Sequence, residues 1–388
     1  MKALLTICAV AVVALFTTML ARAEVLQELP PDIQKAYEGL DPKTPVGASM
    51  LSDFKPKKGP PWTIGFASSY AGNTWRAAAM DRLMNVLVPE AKEAGLVKDI
   101  VITQSDLKDA VQIQQIRQLV DQGVDIIILC CSNPTALNQS IKYAYDKGVP
   151  VISYDGFVTA PEALSVTPNF VDGGYQIAKS VIEKMGGKGN LLYVSGIAGL
   201  NTSDSFDTGA LKAIAEHPDI KLIGTVQGNW TDQIAQVEVQ KFLATHPETV
   251  DGIVLQSPSE IGVIQALLQS GRPVPPISLQ GEFGAACYWK EHPEIADVGF
   301  YLYPPASEIY FGWNAALRVL QGQGPKIQTI ARQVMKYTLE ENNSQLPEDC
   351  KIDDQRWLEP KAEDWFPNSL ANQVFARPSD PLTWKPQN

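Results

Sequence analysis

Apolar runs along this chain end repeatedly in the same kinds of side chain. Ile64-Gly-Phe-Ala leads into Ser68, Ser69, Tyr70, Asn73 and Trp75. Val151-Ile-Ser-Tyr leads into Asp155, Gly156 and Phe157. Leu191-Leu-Tyr-Val leads into a loop with Asn201, Asp204 and Phe206, and Ile223-Gly-Thr-Val into one with Trp230. Gln256 and Ser257 follow another run, Gln280 and Glu282 the next, and Tyr303 closes the last. Rings, hydroxyls, amides and a few carboxylates suit a neutral polyhydroxylated ligand. Its C–H faces pack on aromatic rings, while its hydroxyls donate to and accept from Asp and amide groups. Each residue also has a purely structural role open to it. Trp75 and Trp230 fit apolar packing, Asn73 and Asn201 fit helix N-caps, and Asp155 fits a turn with Gly156. The set at equivalent positions carries the binding reading.

Catalytic patterns are missing. His217, His246 and His292 each precede proline, which marks helix ends rather than general bases. There is no Gly-x-Ser-x-Gly elbow, no phosphate-cradling lysine loop and no Gly-x-Gly-x-x-Gly after a strand. No Cys/His spacing fits zinc. The pair Asp204 and Asp207 is weak evidence for acid–base work. The sequence calls for no cofactor and no catalytic residue.

The elements that must position these loops follow from Trp62 onward. Short apolar runs such as Ile126-Ile-Ile-Leu129 alternate with helical segments of the kind seen at Asp109–Gly123, where Ile113, Ile116, Leu119 and Val120 share a face. This pattern predicts parallel sheets covered on both faces, an α/β fold. It breaks near Ser165–Phe170 and restarts at Gly186, so two doubly wound lobes joined by crossover strands are expected. The expected division is 62–167 plus 303–330 for the N-terminal lobe and 168–302 for the C-terminal lobe. The Pro-rich stretch 24–61 reads as a leader on the surface, and 331–388 as a crossover and wrapping tail.

Residues 1–23 combine Lys2, an apolar run and Ala21-Arg-Ala23, the pattern of a cleaved secretory signal. A membrane anchor is the alternative. The formal net charge of −11 becomes about −13 once Lys2 and Arg22 leave with that segment. Such a balance argues against nucleic acid or an anionic membrane as partner. Cys130 and Cys131 are adjacent in an apolar run and read as buried thiols. Cys287 and Cys350 are free to pair in an oxidising compartment, and the sequence leaves that pairing open.

The stretches Ile64–Ala78, Ile116–Asp155, Gly187–Ile214 and Phe242–Gly271, in that order and spacing, resemble the type I periplasmic binding proteins of ABC transporters, specifically the ribose/galactose-like sugar-binding group. The resemblance spans about Trp62 to Gly324. It implies two lobes closing on a ligand, with no enzymatic activity. Ser69, Asn73 and Trp75 match first-loop contacts, Asp155 the acid that grips hydroxyls, and Trp230 a stacking ring. Gln256 and Gln280 stand where Asn and Asp are common, and Tyr303 lies at the last crossover contact. Two arginines typical of ribose binders are replaced: Gly156 follows Asp155, and Asp204 stands at or near the other place. That puts ribose itself in doubt, because Arg makes rigid forked hydrogen bonds. Arg76 either supplies a replacement cation or points into solvent.

The expectation is therefore a periplasmic receptor for a sugar or polyol, partnered by an ABC transporter permease. A chemoreceptor or sensor kinase is the alternative partner, and an exported α/β enzyme the remote alternative.

Overall fold

The computed structural model describes residues 25–130 and 133–383. The expected signal at residues 1–23 and the thiol of Cys131 lie outside them. The first lobe is a six-stranded parallel sheet in the order β10-β5-β4-β3-β1-β2. Its strands are β1 (Trp62–Ser68), β2 (Val97–Gln104), β3 (Ile126–Leu129), β4 (Val151–Tyr154), β5 (Ala163–Pro168) and β10 (Thr329–Arg332). The second lobe has β6 (Gly189–Ser195), β7 (Ile220–Gln227) and β8 (Gly252–Leu255) in the parallel order β7-β6-β8. Ile277 bridges to Ile253 in the same sense, and Phe300 N–H donates to the Leu279 carbonyl at 2.9 Å. This carries the layer on to β9 (Gly299–Tyr301), which pairs antiparallel with β11 (Met335–Tyr337). Both lobes thus repeat one doubly wound order. Each places its strand ends where a ligand binds in such sheets.

The short α1 (Pro31–Gln34) precedes the sheets. The first lobe then carries α2 (Thr74–Arg82), α3 (Val88–Glu93), α4 (Asp109–Asp121) and α5 (Asn138–Asp146). The second carries α6 (Phe170–Lys184), α7 (Asn201–Ala215), α8 (Asp232–Thr245), α9 (Glu260–Gln269) and α10 (Phe283–Glu291). Next comes α11 (Pro305–Leu320), followed by α12 (Leu339–Gln345), α13 (Ala362–Trp365) and α14 (Asn368–Val374). The apolar period of α4 is met: Ile116, Leu119 and Val120 are buried, and Gly123 takes φ 80° to end the helix. Helices α6 and α7 meet at Gly174 and Gly209. A Cβ at Gly209 would run into the Val171 carbonyl, and one at Gly174 into that of Phe206. Only glycine allows this approach, and it sets the first turn of α7 against the cleft.

Three connections cross between lobes: β5 into α6, β9 into α11, and β10 into β11. The leader is built into this region. Leu29, Ile33 and Tyr37 are buried, and the Tyr37 hydroxyl donates to the Thr329 carbonyl at 2.9 Å. Asn169, at the first crossing, donates to the carbonyls of Ala36 and Glu38 at 3.1 and 2.8 Å. Cys287 and Cys350 form a disulfide, and Cys130 is a buried free thiol. The histidines sit at helix ends: His246 and His292 cap α8 and α10, and His217 bonds the Ala213 carbonyl of α7. Among the described residues no helix is long and apolar enough to cross a membrane.

Candidate functional site

The loops at the strand ends of the two sheets face each other across a cavity. The space open there to the centre of a water-sized sphere is about 40 Å³. Twelve of the residues named after the apolar runs line it: Ser69, Tyr70, Asn73, Trp75, Asp155, Gly156, Asn201, Phe206, Trp230, Gln256, Ser257 and Tyr303. Asn73 has two tasks. Its Oδ1 caps α2 by accepting from Arg76 N–H at 2.9 Å, and its Nδ2 donates across the cleft to the Trp230 carbonyl at 3.2 Å. The Trp75 indole donates to the Tyr303 carbonyl at 2.6 Å, and the Tyr303 ring lies 5.4 Å from that of Phe170. Asn73 and Trp75 are thus polar pins between lobes as well as walls.

Arg76 points inward. It is 9% exposed, its guanidinium lies 4.5 Å from the Trp75 ring centroid, and its Nη2 is 3.3 Å from Asp155 Oδ2. It also donates to the Tyr154 hydroxyl at 3.3 Å and to Cys130 Sγ at 2.8 Å. Burial pushes the Cys130 thiol up to about 11, so it stays protonated. Burial also raises Asp155, against the pull of Arg76. Arg76 itself is raised, because three acceptors outweigh its own desolvation. Asp155 thus rises through loss of water, and Arg76 through its partners. At 3.3 Å the two groups form an ion pair. The cavity therefore holds one cation and one anion.

Backbone strain gathers here. Among the described residues the non-glycine positive φ angles are at Asp106 (50°), Leu107 (58°), Asp155 (66°), Asn229 (52°) and Trp230 (54°). Leu107, Asp155 and Trp230 line the cavity, and the other two are their neighbours. Such angles cost of order 1–3 kcal/mol each and persist where surroundings enforce them, ligand clamps included.

The structure reassigns three side chains. Gln256 lines the cavity, but its amide is committed: Oε1 accepts from the Trp230 indole at 3.0 Å, and Nε2 donates to Asp207, Tyr193 and the Ser203 carbonyl. It holds the Trp230 ring in place. Asp204 does not line the cavity. It faces solvent and accepts from Gly199 N–H at 3.0 Å, because the first turn of α7 rotates it away from Asn201. Gln280 is also outside, buried beneath the wall with Nε2 on the Leu255 carbonyl at 2.7 Å. The strand-end set did not include Arg76, Leu107, Cys130, Phe170, Leu200, Thr202 and Pro258. Phe170 carried a usable signal, since it follows a strand end as the others do.

Behind the Ser257–Pro258 wall lie three buried carboxyl groups. Glu282 Oε2 accepts from the N–H groups of Ser259, Glu260 and Ile261 at the start of α9, at 3.2, 2.6 and 3.2 Å. Glu260 Oε1 accepts from Gln280 N–H at 2.6 Å, and Asp232 Oδ1 from Gly262 N–H at 2.9 Å. Burial raises all three, Glu260 to about 8 and Glu282 well above the carboxylate range. A carboxyl raised in the fold stabilises it while protonated. Its contribution is complete below the unfolded value of 4.5 and is lost as pH rises through about 8. The melting temperature should therefore fall between pH 5 and 9, and Glu260→Gln should flatten that slope. Parallel profiles for the two proteins would remove Glu260 from this role.

Among the described residues no cluster of three or more His, Cys, Asp or Glu side chains is placed to hold a metal ion. Residues 64–324 match the family model described as a periplasmic binding protein domain. The chain belongs to this family. Xylitol-binding protein of Mycolicibacterium smegmatis is 29% identical over 173 residues, which is 44% of this chain and 50% of that relative. Galactofuranose-binding protein YtfQ of Escherichia coli is 26% identical over 219 residues, 54% of this chain and 67% of that one. An ABC transporter solute binding protein from Thermobispora bispora superposes with TM-score 0.71 at 25% identity, covering 83% of this chain and all of that one, 100%. The expected family and the two-lobed type I fold are both met.

Proposed function

We propose that this periplasmic binding protein captures a neutral sugar or polyol between its lobes and delivers it to an ABC transporter permease in the cell envelope. The Arg76–Asp155 pair carries the reading. It supplies forked donors and a carboxylate to hydroxyl groups while keeping the cavity neutral. Arg76 takes the place of the cation lost at Gly156. Rings from both lobes, Trp75 and Trp230 among them, supply stacking surfaces. The relatives support the class: one is a xylitol-binding protein, another a galactofuranose-binding protein. Contacts from both lobes make affinity differ between open and closed forms, which drives closure.

The direct test is a thermal-shift screen with pentoses, hexoses, sugar alcohols, aldonic acids and amino acids. A ligand that binds only the native state must raise the melting temperature. A shift with a neutral sugar or polyol supports the reading; shifts confined to amino acids or aldonic acids overturn the ligand class. With the sugar or polyol so found, Trp230→Ala and Asp155→Ala should each weaken binding by at least about 1 kcal/mol by titration calorimetry. Unchanged affinity in both removes them from the site. The same fold serves as the fructose-binding periplasmic domain of a hybrid two-component system, with TM-score 0.62. Capture from envelope extracts therefore tests delivery, and recovery of a kinase without a permease would assign the receptor to sensing.

A further inference from the structure

Several polar side chains around the cavity are committed to the protein itself. Both indole N–H groups donate to protein acceptors, Trp75 to Tyr303 and Trp230 to Gln256. The Gln256 amide nitrogen donates within the protein, and the Tyr303 hydroxyl donates to the Ser257 carbonyl. Asn73 is shared between its cap and the Trp230 carbonyl. Among the described residues both hydrogen bonds to the Asp155 carboxylate go to Oδ2, which leaves Oδ1 as an acceptor beside the hydroxyl-bearing lining residues Ser69, Tyr70, Thr202 and Ser257. Beside these polar groups stand Leu107, Phe170, Leu200, Phe206 and Pro258. They have no group that answers a hydroxyl. Leu107 follows β2 in the first lobe and Leu200 precedes α7 in the second, so aliphatic side chains reach the cavity from both lobes. Leu107 is held at φ 58°, an angle unfavourable for such a side chain.

From these contacts we infer that the cavity selects a sugar or polyol bearing a deoxy or methyl position over its fully hydroxylated counterpart. A hydroxyl placed against Leu107, Leu200 or Phe206 loses its water without gaining a partner. A methyl or methylene placed there is buried favourably. A site that leaves one hydroxyl unanswered therefore rejects the hydroxylated compound, and the carboxylate and guanidinium anchor the remaining hydroxyls.

This inference rests on the receptor reading, and matched pairs separate the two. Titration calorimetry would compare D-fucose with D-galactose, L-rhamnose with L-mannose, 2-deoxy-D-ribose with D-ribose, and 3-O-methyl-D-glucose with D-glucose, alongside xylitol and ribitol. At least one deoxy or methyl compound should bind at least tenfold more tightly than its counterpart and than either pentitol. Leu200→Asn, which offers an amide to a hydroxyl, should shrink that ratio severalfold. A hydroxylated sugar or pentitol that binds as tightly as the best deoxy compound overturns the inference and leaves the receptor reading standing. An unchanged ratio in Leu200→Asn and Leu107→Asn overturns the assignment of the preference to these residues. Silence across this panel and the thermal-shift screen removes the receptor reading, and the inference with it.

Discussion

Arg76→Ala should lower the free energy of unfolding by about 3–5 kcal/mol, the cost of breaking a buried ion pair from one side. Asp155 is 8% exposed and has no other cation within salt-bridge reach among the described residues. Without Arg76 its carboxylate keeps the donor contact of Cys130 at 3.7 Å, too long to replace a charge-assisted bond. The Tyr154 hydroxyl and Cys130 thiol lose a donor as well. The neutral variant Asp155→Asn should recover part of the loss in the double mutant, because no buried charge is then stranded. Guanidinium unfolding of the four proteins gives the cycle. A loss below about 1 kcal/mol in Arg76→Ala, or strict additivity with Asp155→Asn, would show that the two groups are not a coupled buried pair.

This pair also marks how far the sequence could be read. The loop after β1 was legible because a polar, aromatic stretch after an apolar run has few structural uses. Asn73 satisfied both roles open to it, cap and cleft contact, which no single-role argument separates. Arg76 was ambiguous because the direction of its side chain depends on Asp155, 79 residues away, and on a Cys130 acceptor on another strand. Asp204 and Asn201 share one helical turn, and only the rotation of α7, set by the Gly174–Gly209 crossing, decides which faces the cavity. Gln256 has the right type and place for a ligand contact, but its amide is taken up by Trp230 and Asp207, 26 and 49 residues away in sequence. The segments that form β5, β10 and β11 carry no legible apolar run. Ala163–Pro168 mixes Ser, Thr and Pro with apolar residues, and the other two span four and three residues. Thr329 and Arg332 bracket only two apolar residues in β10 and Lys336 divides β11, so pairing with neighbouring strands defines them. Phe170 was lost together with β5.

The Cys287–Cys350 bridge should carry a comparably large share of stability. Its partners are 63 residues apart. Closing a loop of that size removes enough unfolded-chain entropy to stabilise the fold by about 4 kcal/mol, though strain or residual structure reduces such values in practice. The loop is not an isolated appendage. It contains β9, the crossing into α11, β10, the crossing back into β11, and α12. The bridge therefore ties off both returns of the chain between lobes. Beyond it the tail still adheres to the second lobe, with Trp357 bridging Glu282, and then passes to the first. There Glu359 accepts from the N–H of Ala306 at 2.8 Å, the Phe366 ring lies 4.6 Å from Phe311, and Asn368 accepts from Arg318 at 2.8 Å. Such noncovalent anchors should keep the variant Cys287→Ser/Cys350→Ser folded while its unfolding midpoint falls. Reductant should shift the wild-type midpoint toward that of the variant and leave the variant unmoved. Equal midpoints for the oxidised wild type and the double variant would show that the anchors alone fix the tail, with the bridge adding nothing to the equilibrium.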